Sequence, residues 1–133
     1  MNRVRVLLME KVLEWVSKVN SAGRSYGLTI IVEGPGDARS LRSLGVTTEI
    51  LTVRDIRAEI LESPGEIPGR AFGILVDFDR EGSRLYLALK RDIEELGGVV
   101  EDWPRRSYRR AGLPKRVEEA EVFLRRRGLL GGL

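Results

Sequence analysis

The 133-residue chain contains no cysteine and no histidine. The first absence excludes disulfides and thiolate nucleophiles. The second excludes imidazole bases and every histidine-based triad, and the two together exclude the usual zinc sites. Prolines number five and aromatic residues make up 6 %. No apolar run approaches the ~20 residues needed to cross a bilayer. The opening "MNRVRVLLMEKVLEWV" is interrupted by Glu10 and Glu14 and is followed by no small-residue cleavage site. It reads as an amphipathic helix rather than an export signal, so the expectation is a cytoplasmic protein with no membrane contact. Any chemistry then falls to carboxylates, arginines, lysines, hydroxyls and a bound ion. Carboxylates alone favour hard cations such as Mg²⁺ or Mn²⁺.

What the chain does have is charge: 42 % hydrophobic and 32 % charged residues fit one soluble globular domain spanning residues 1–133, long enough to bury its own core. The charge is uneven. From Trp103 onward, nine basic residues face three acidic ones, a net +6 in a chain of net +3, which leaves −3 for the rest. A basic C-terminal third beside an acidic remainder points to a polyanionic partner.

Apolar residues at Leu8, Val12, Trp15, Val16 and Val19 trace one stripe of a helix over 4–19, and "NSAGRSYG" reads as the loop that follows. "LTIIVEG" (28–34) and "AFGILVD" (71–77) are continuous aliphatic runs suited to strands buried on both faces of a parallel sheet. "TTEILTV" (47–53) and "VVED" (99–102) are two further strands. Between them lie a short helix ending at Gly45 with Asp37 as its candidate N-cap, a helix from "RDIRAEILESPG" and a helix over 80–96 closed by Gly97-Gly98. Pro104 opens a short arginine-rich helix, Lys115–Arg127 a last one, and "GLLGGL" carries no signal. Alternating helices and apolar strands predict an α/β fold with a mostly parallel sheet of about four strands. Function in such sheets collects at the carboxyl ends of the strands. There the sequence sets Glu33, Asp77, Asp79, Glu101 and Asp102.

Asp77 and Asp79 are two residues apart, so a persisting strand would point both carboxylates the same way. Two such charges tolerate ionisation only beside a cation. Glu33 would complete a three-carboxylate metal site if its strand neighbours that of Asp77. Asp79 also fits the N-cap of the helix that follows it, as Asp37 does for its own.

The combination is more specific than its parts. "IIVEGPGDARSLRSLG" followed by "ILVDFDREG" resembles the Toprim domain, the catalytic core shared by type IA and type II topoisomerases, bacterial primases, OLD-type nucleases and the ribonuclease that matures 5S ribosomal RNA. The resemblance covers about 28–102. It implies a compact Rossmann-like fold with a four-stranded parallel sheet. It also implies that Glu33 acts as general acid or base, that Asp77 and Asp79 bind Mg²⁺ (or Mn²⁺), and that Gly82 lets the next helix pack closely. Glu81 is a further acid, better read as a complement to its helix dipole. The chain lacks a topoisomerase gate, a primase zinc region and a nucleotide-binding Walker motif, so no nucleotide cofactor is expected. What remains is similar to small standalone archaeal Toprim proteins and to the 5S ribosomal RNA nuclease without its added domain.

Arg105, Arg106, Arg109 and Arg110 fall on one face of the helix opened by Pro104, with Tyr108 nearby to stack on unpaired bases and Trp103 better read as core packing. Arg39 with Arg42, and Arg80 with Arg84, have helical spacing near the acidic strand ends. All eight are candidate nucleic-acid contacts. Two functions follow: a metal-dependent nuclease of RNA or DNA, or a non-catalytic metal-binding module that binds nucleic acid or serves as an adaptor. The sequence leaves open whether the chain dimerises.

Overall fold

In the computed structural model, which describes residues 2–130, the two aliphatic runs form the central strands. Four strands make one parallel sheet in the order β2-β1-β3-β4: β1 Thr29–Val32, β2 Ile50–Thr52, β3 Ala71–Ile74 and β4 Val99–Glu101. Every residue of β1 and β3 is buried, as strands covered by helices on both faces must be. The fold is α/β and Rossmann-like, as expected. Among the described residues no helix is long and apolar enough to cross a membrane.

The helices divide between the faces. α3 (Val53–Glu62) and α4 (Arg80–Glu95) pack through Ile56, Leu89 and Ile93 on the face of Ile31, Phe72 and Ile74. α1 (Arg3–Tyr26), α2 (Pro35–Leu44), α5 (Trp103–Arg110) and α6 (Ala120–Arg126) cover the face of Ile30 and Val32. Gly73 permits the α5 contact, because a Cβ there would lie 2.7 Å from Pro104 Cγ.

Several elements differ from expectation. α1 runs on through "NSAGRSY" to a left-handed cap at Gly27. Asn20 donates to Gly45 O (2.9 Å) and accepts from Thr47 N–H (2.8 Å), and Gly23 makes room for the Thr48 side chain. Burial of Trp15, Val16, Val19 and Ala22, at roughly 1.5–3 kcal/mol for each large side chain, outweighs the ~1 kcal/mol cost of a helical glycine. Residues 115–127 are not one helix: a 3₁₀ turn at Val117–Glu119 precedes α6. Of the tail, Leu129 is buried, while 131–133 lie outside the described residues.

β3 ends at Ile74, and the chain turns through Leu75–Asp79 into α4. Asp79 caps that helix, its Oδ1 accepting from Gly82 N–H at 2.7 Å, an interaction worth about 1 kcal/mol. Gly82 is forced by the tightness of the turn. A Cβ would sit 1.9 Å from the backbone oxygen of Asp77, and a main-chain atom cannot swing aside. Gly82→Ala should lower unfolding stability by roughly 1–3 kcal/mol in urea titration, whereas Gly65→Ala, with open space around it, should stay within about 0.5 kcal/mol. Equal effects would contradict the packing described.

Candidate acidic site and the adjoining basic groove

The β1–β3 ladder ends on a side chain. Ile31 pairs with Ile74, and Leu75 N–H donates to Ile31 O at 2.7 Å. The next donor along that edge, Asp77 N–H, goes instead to Glu33 Oε1 at 2.9 Å. Past this bond the two strands part, β1 leading into α2 on one face and β3 into α4 on the other. The gap is the point where the strand order reverses, the usual binding crevice of an open α/β sheet. Glu33 and Asp77 stand on its two sides.

Two further acids join them. Asp37 is buried (7 % exposed). It is the third residue of α2 rather than the N-cap: the cap is Gly34, whose N–H donates to Asp37 Oδ2 at 2.8 Å. Glu118, from the 3₁₀ turn, reaches Gly36, where a Cβ would lie 2.9 Å from its Oε1. Asp77 Oδ1 accepts from Val117 N–H (3.1 Å), and Phe78 N–H donates to Lys115 O (3.1 Å), so the 115–117 segment straps the loop after β3 in place. Desolvation, then the charges of Asp77, Asp37 and Asp79, raise the Glu33 carboxyl above its ordinary range, against the lowering by its Asp77 N–H bond. Burial, then Asp77 and Glu118, raise Asp37 in the same way against the bond from Gly34. Among the described residues no ion pair involves Glu33, Asp37, Asp77 or Asp79.

The cation nearest in effect is Arg105, and its role differs from that expected. Its guanidinium donates to the carbonyls of Val76 and Asp77, the latter at 3.0 Å, and lies 4.0 Å from the Phe78 ring centroid and 5.1 Å from that of Tyr86. Burial pulls its pKa down while Asp77, Glu33 and Asp79 push it up. Arg105 therefore pins the peptides that carry Asp77 and is not free to grip a ligand.

The donors suit a hard cation in kind. All are carboxylate oxygens, and Glu33 Oε2, Asp77 Oδ2 and Asp79 Oδ2 accept no hydrogen bond among the described residues. An ion such as Mg²⁺ uses only one or two protein carboxylates and keeps several waters. The expected three-carboxylate cage is not preassembled: among the described residues no three acids converge on one point. The reason is local. The strand geometry that would align Asp77 with Asp79 stops at Ile74, and Asp79 turns back onto its own helix.

The other predicted residues are dispersed. Arg106, Arg109 and Arg110 are exposed and line a groove of about 580 Å³ between α4 and α5. Tyr108 is fully buried. It lies stacked on Phe78 at 5.5 Å and edge-on to Trp15, so it cannot stack on a base. Arg80, Arg84 and Glu81 are exposed on the first turns of α4, and neither arginine forms an ion pair among the described residues. Arg39 is exposed on α2. Arg42 donates to Val46 O and Thr48 O, at the amino ends of the strands and away from the crevice. Glu101 accepts from Tyr26 and Trp103, and Asp102 from Tyr86, Lys90 and Arg106, so both are structural. Sequence reasoning missed Asp37 as a cluster member, and Glu118 and Lys90 altogether. The only signal for Asp37 is its place one helical turn after Glu33.

No family model matches the chain. It is 37 % identical over 91 residues to a UPF0292 protein of Thermococcus onnurineus, a match covering 65 % of each chain. It is also 37 % identical over 87 residues to a UPF0292 protein of Pyrococcus abyssi, covering 65 % of this chain and 64 % of that one. The matched segment thus spans just under two thirds of these relatives. A solved structure of a protein from Aquifex aeolicus superposes with a TM-score of 0.63 over 80 % of this chain and 95 % of that one at 21 % identity, so the two share a fold.

Because folding raises the Glu33 pKa, its stabilising contribution is present at low pH and lost as pH rises through the raised value. Glu33→Gln keeps an oxygen for Asp77 N–H and removes the charge. Without divalent cations, the variant should melt above the wild type at about pH 8, with the gap closing below about pH 4. A gap that does not change with pH would contradict a raised Glu33 pKa.

Proposed function

We propose that this protein is a divalent-cation-dependent enzyme of nucleic-acid phosphodiester bonds, a nuclease of the Toprim type. The observation that carries the reading is the Glu33–Asp77 junction: a carboxylate with a raised pKa, fixed at the topological switch point of the sheet and adjoining an arginine-lined groove. A carboxyl with a raised pKa is a stronger base toward a proton at the reacting phosphate than one at its ordinary value. Asp77 is the first ligand for Mg²⁺ or Mn²⁺, with Asp79 assisting through its free oxygen. When bound, such an ion neutralises charge on the phosphate and orients the reacting oxygens. Arg105 holds the Val76–Asp77 peptides, and through them the Asp77 carboxylate. Arg106, Arg109 and Arg110 bind the flanking backbone. The proposal locates this activity in the cytoplasm.

The second reading is a metal-binding module without turnover, serving as a nucleic-acid binder or adaptor. The dispersal of the acids and the engagement of Asp79 as a helix cap favour it.

Incubation with end-labelled structured RNA and single-stranded DNA in Mg²⁺ or Mn²⁺ separates the two. The nuclease reading expects cleavage by the wild type, reduced by about 10²-fold or more in Glu33→Gln and in Asp77→Ala. Wild-type and Asp77→Ala protein cutting alike would rule it out. Salt-sensitive binding without turnover, unchanged by Glu33→Gln, would establish the second reading instead.

A further inference from the structure

We infer that the groove between α4 and α5 takes the sugar-phosphate backbone of a nucleic acid and stacks no base, so that recognition does not depend on sequence. This rests on the nucleic-acid reading above and adds to it what the substrate must offer. The groove carries five cationic side chains, Lys90, Arg105, Arg106, Arg109 and Arg110, against the one carboxylate of Asp102. That charge suits a polyanion.

Aromatic rings are present in the groove, but each already has a cation over its ring. Phe78 is stacked by Tyr108, with ring planes 5° apart, and capped by the Arg105 guanidinium at 4.0 Å. Tyr86 has Arg105 at 5.1 Å and Lys90 at 6.0 Å over its ring, and its hydroxyl is bound to Asp102. Beyond the groove, Trp103 lies under Lys18 at 4.5 Å with its N–H on Glu101. A base arriving at Phe78 or Tyr86 would have to displace a cation already seated there.

Edge reading is left to Ser83 and to the arginines, whose preferred base is guanine. Adenine is read by Asn or Gln amides and cytosine by a free carboxylate. The chain has no glutamine and only two asparagines. Asn2 caps α1, and Asn20 is tied to Gly45 and Thr47. The groove carboxylate, Asp102, already accepts from Tyr86, Lys90 and Arg106. What stays available is Arg110, with the remaining N–H groups of Arg106, which also donates to Asp102, and of Arg109, which also donates to Leu113 O; such forks suit phosphate oxygens.

The test is equilibrium binding without divalent cations, by fluorescence anisotropy, on single strands of equal length: one of mixed sequence, one G-rich, and one abasic with an intact phosphodiester backbone. The inference expects all three dissociation constants within about threefold. It also expects log K to fall linearly with log salt, with a shallower slope in the Arg106→Ala/Arg109→Ala/Arg110→Ala protein. Stacked bases contribute roughly five- to hundredfold each. An abasic strand bound about tenfold more weakly, an equal preference for the G-rich strand, or no binding of any strand would overturn it. Since no cleavage is read, these outcomes are separate from the fate of the nuclease reading. Base-dependent binding with Glu33-dependent cleavage would discard the groove and keep the site.

Discussion

A single hydrogen bond, from Asp77 N–H to Glu33 Oε1, closes the ladder between the two central strands, and the carboxyl end of the sheet is organised around it. A carbonyl in that position would have continued the sheet. A carboxylate ends it, and in ending it becomes fixed at the mouth of the crevice that opens as β1 and β3 part. The flanking elements serve this junction. Arg105 holds the two carbonyls before the turn, the 115–117 segment straps Phe78 and Asp77, and Gly82 allows α4 to begin against the Asp77 carbonyl.

The electrostatics follow from that arrangement. Burial and the charges of Asp77, Asp37 and Asp79 raise the cost of ionising Glu33, burial with Asp77 and Glu118 does the same for Asp37, and no ion pair among the described residues relieves either. The chain has abundant arginine close by, yet spends Arg105 on backbone carbonyls and leaves Arg106, Arg109 and Arg110 facing a separate groove. Negative and positive regions are thus adjacent without cancelling. A phosphate ester bridged to the acids by a cation, with its neighbouring phosphates on the arginines, would satisfy both.

The strands and the parallel sheet were legible because they depend on local pattern, as was the place of Glu33 and Asp77 at strand ends; that the two strands are neighbours is a tertiary fact. Leu28–Val32 and Ala71–Val76 are aliphatic runs too short for helices, and an acid after each falls at the carboxyl end. The features that were not legible depend on tertiary partners. The stretch "NSAGRSY" is helical because Ala22 joins the buried face of α1 and the 45–48 segment offers Asn20 its partners and Gly23 its close neighbour. Asp37 has the sequence context of a cap, and only the fold brings it within the field of the Asp77 charge. Tyr108 and Arg105 sit on a helix, WPRRSYRR, whose four arginines dominate it when written out. In the folded chain one packs between Trp15 and Phe78 and the other lies against a strand end. Charge composition reported the net sign of this region correctly but could not apportion the arginines between structure and surface.

The central claim is that the Glu33–Asp77 crevice holds a divalent cation. A crystal grown with Mn²⁺ and measured at an energy where manganese scatters anomalously tests it most directly. The account predicts an anomalous peak about 2.0–2.3 Å from a carboxylate oxygen of Asp77 or Glu33. No peak in the crevice at saturating Mn²⁺, or manganese bound only elsewhere on the surface, would contradict it.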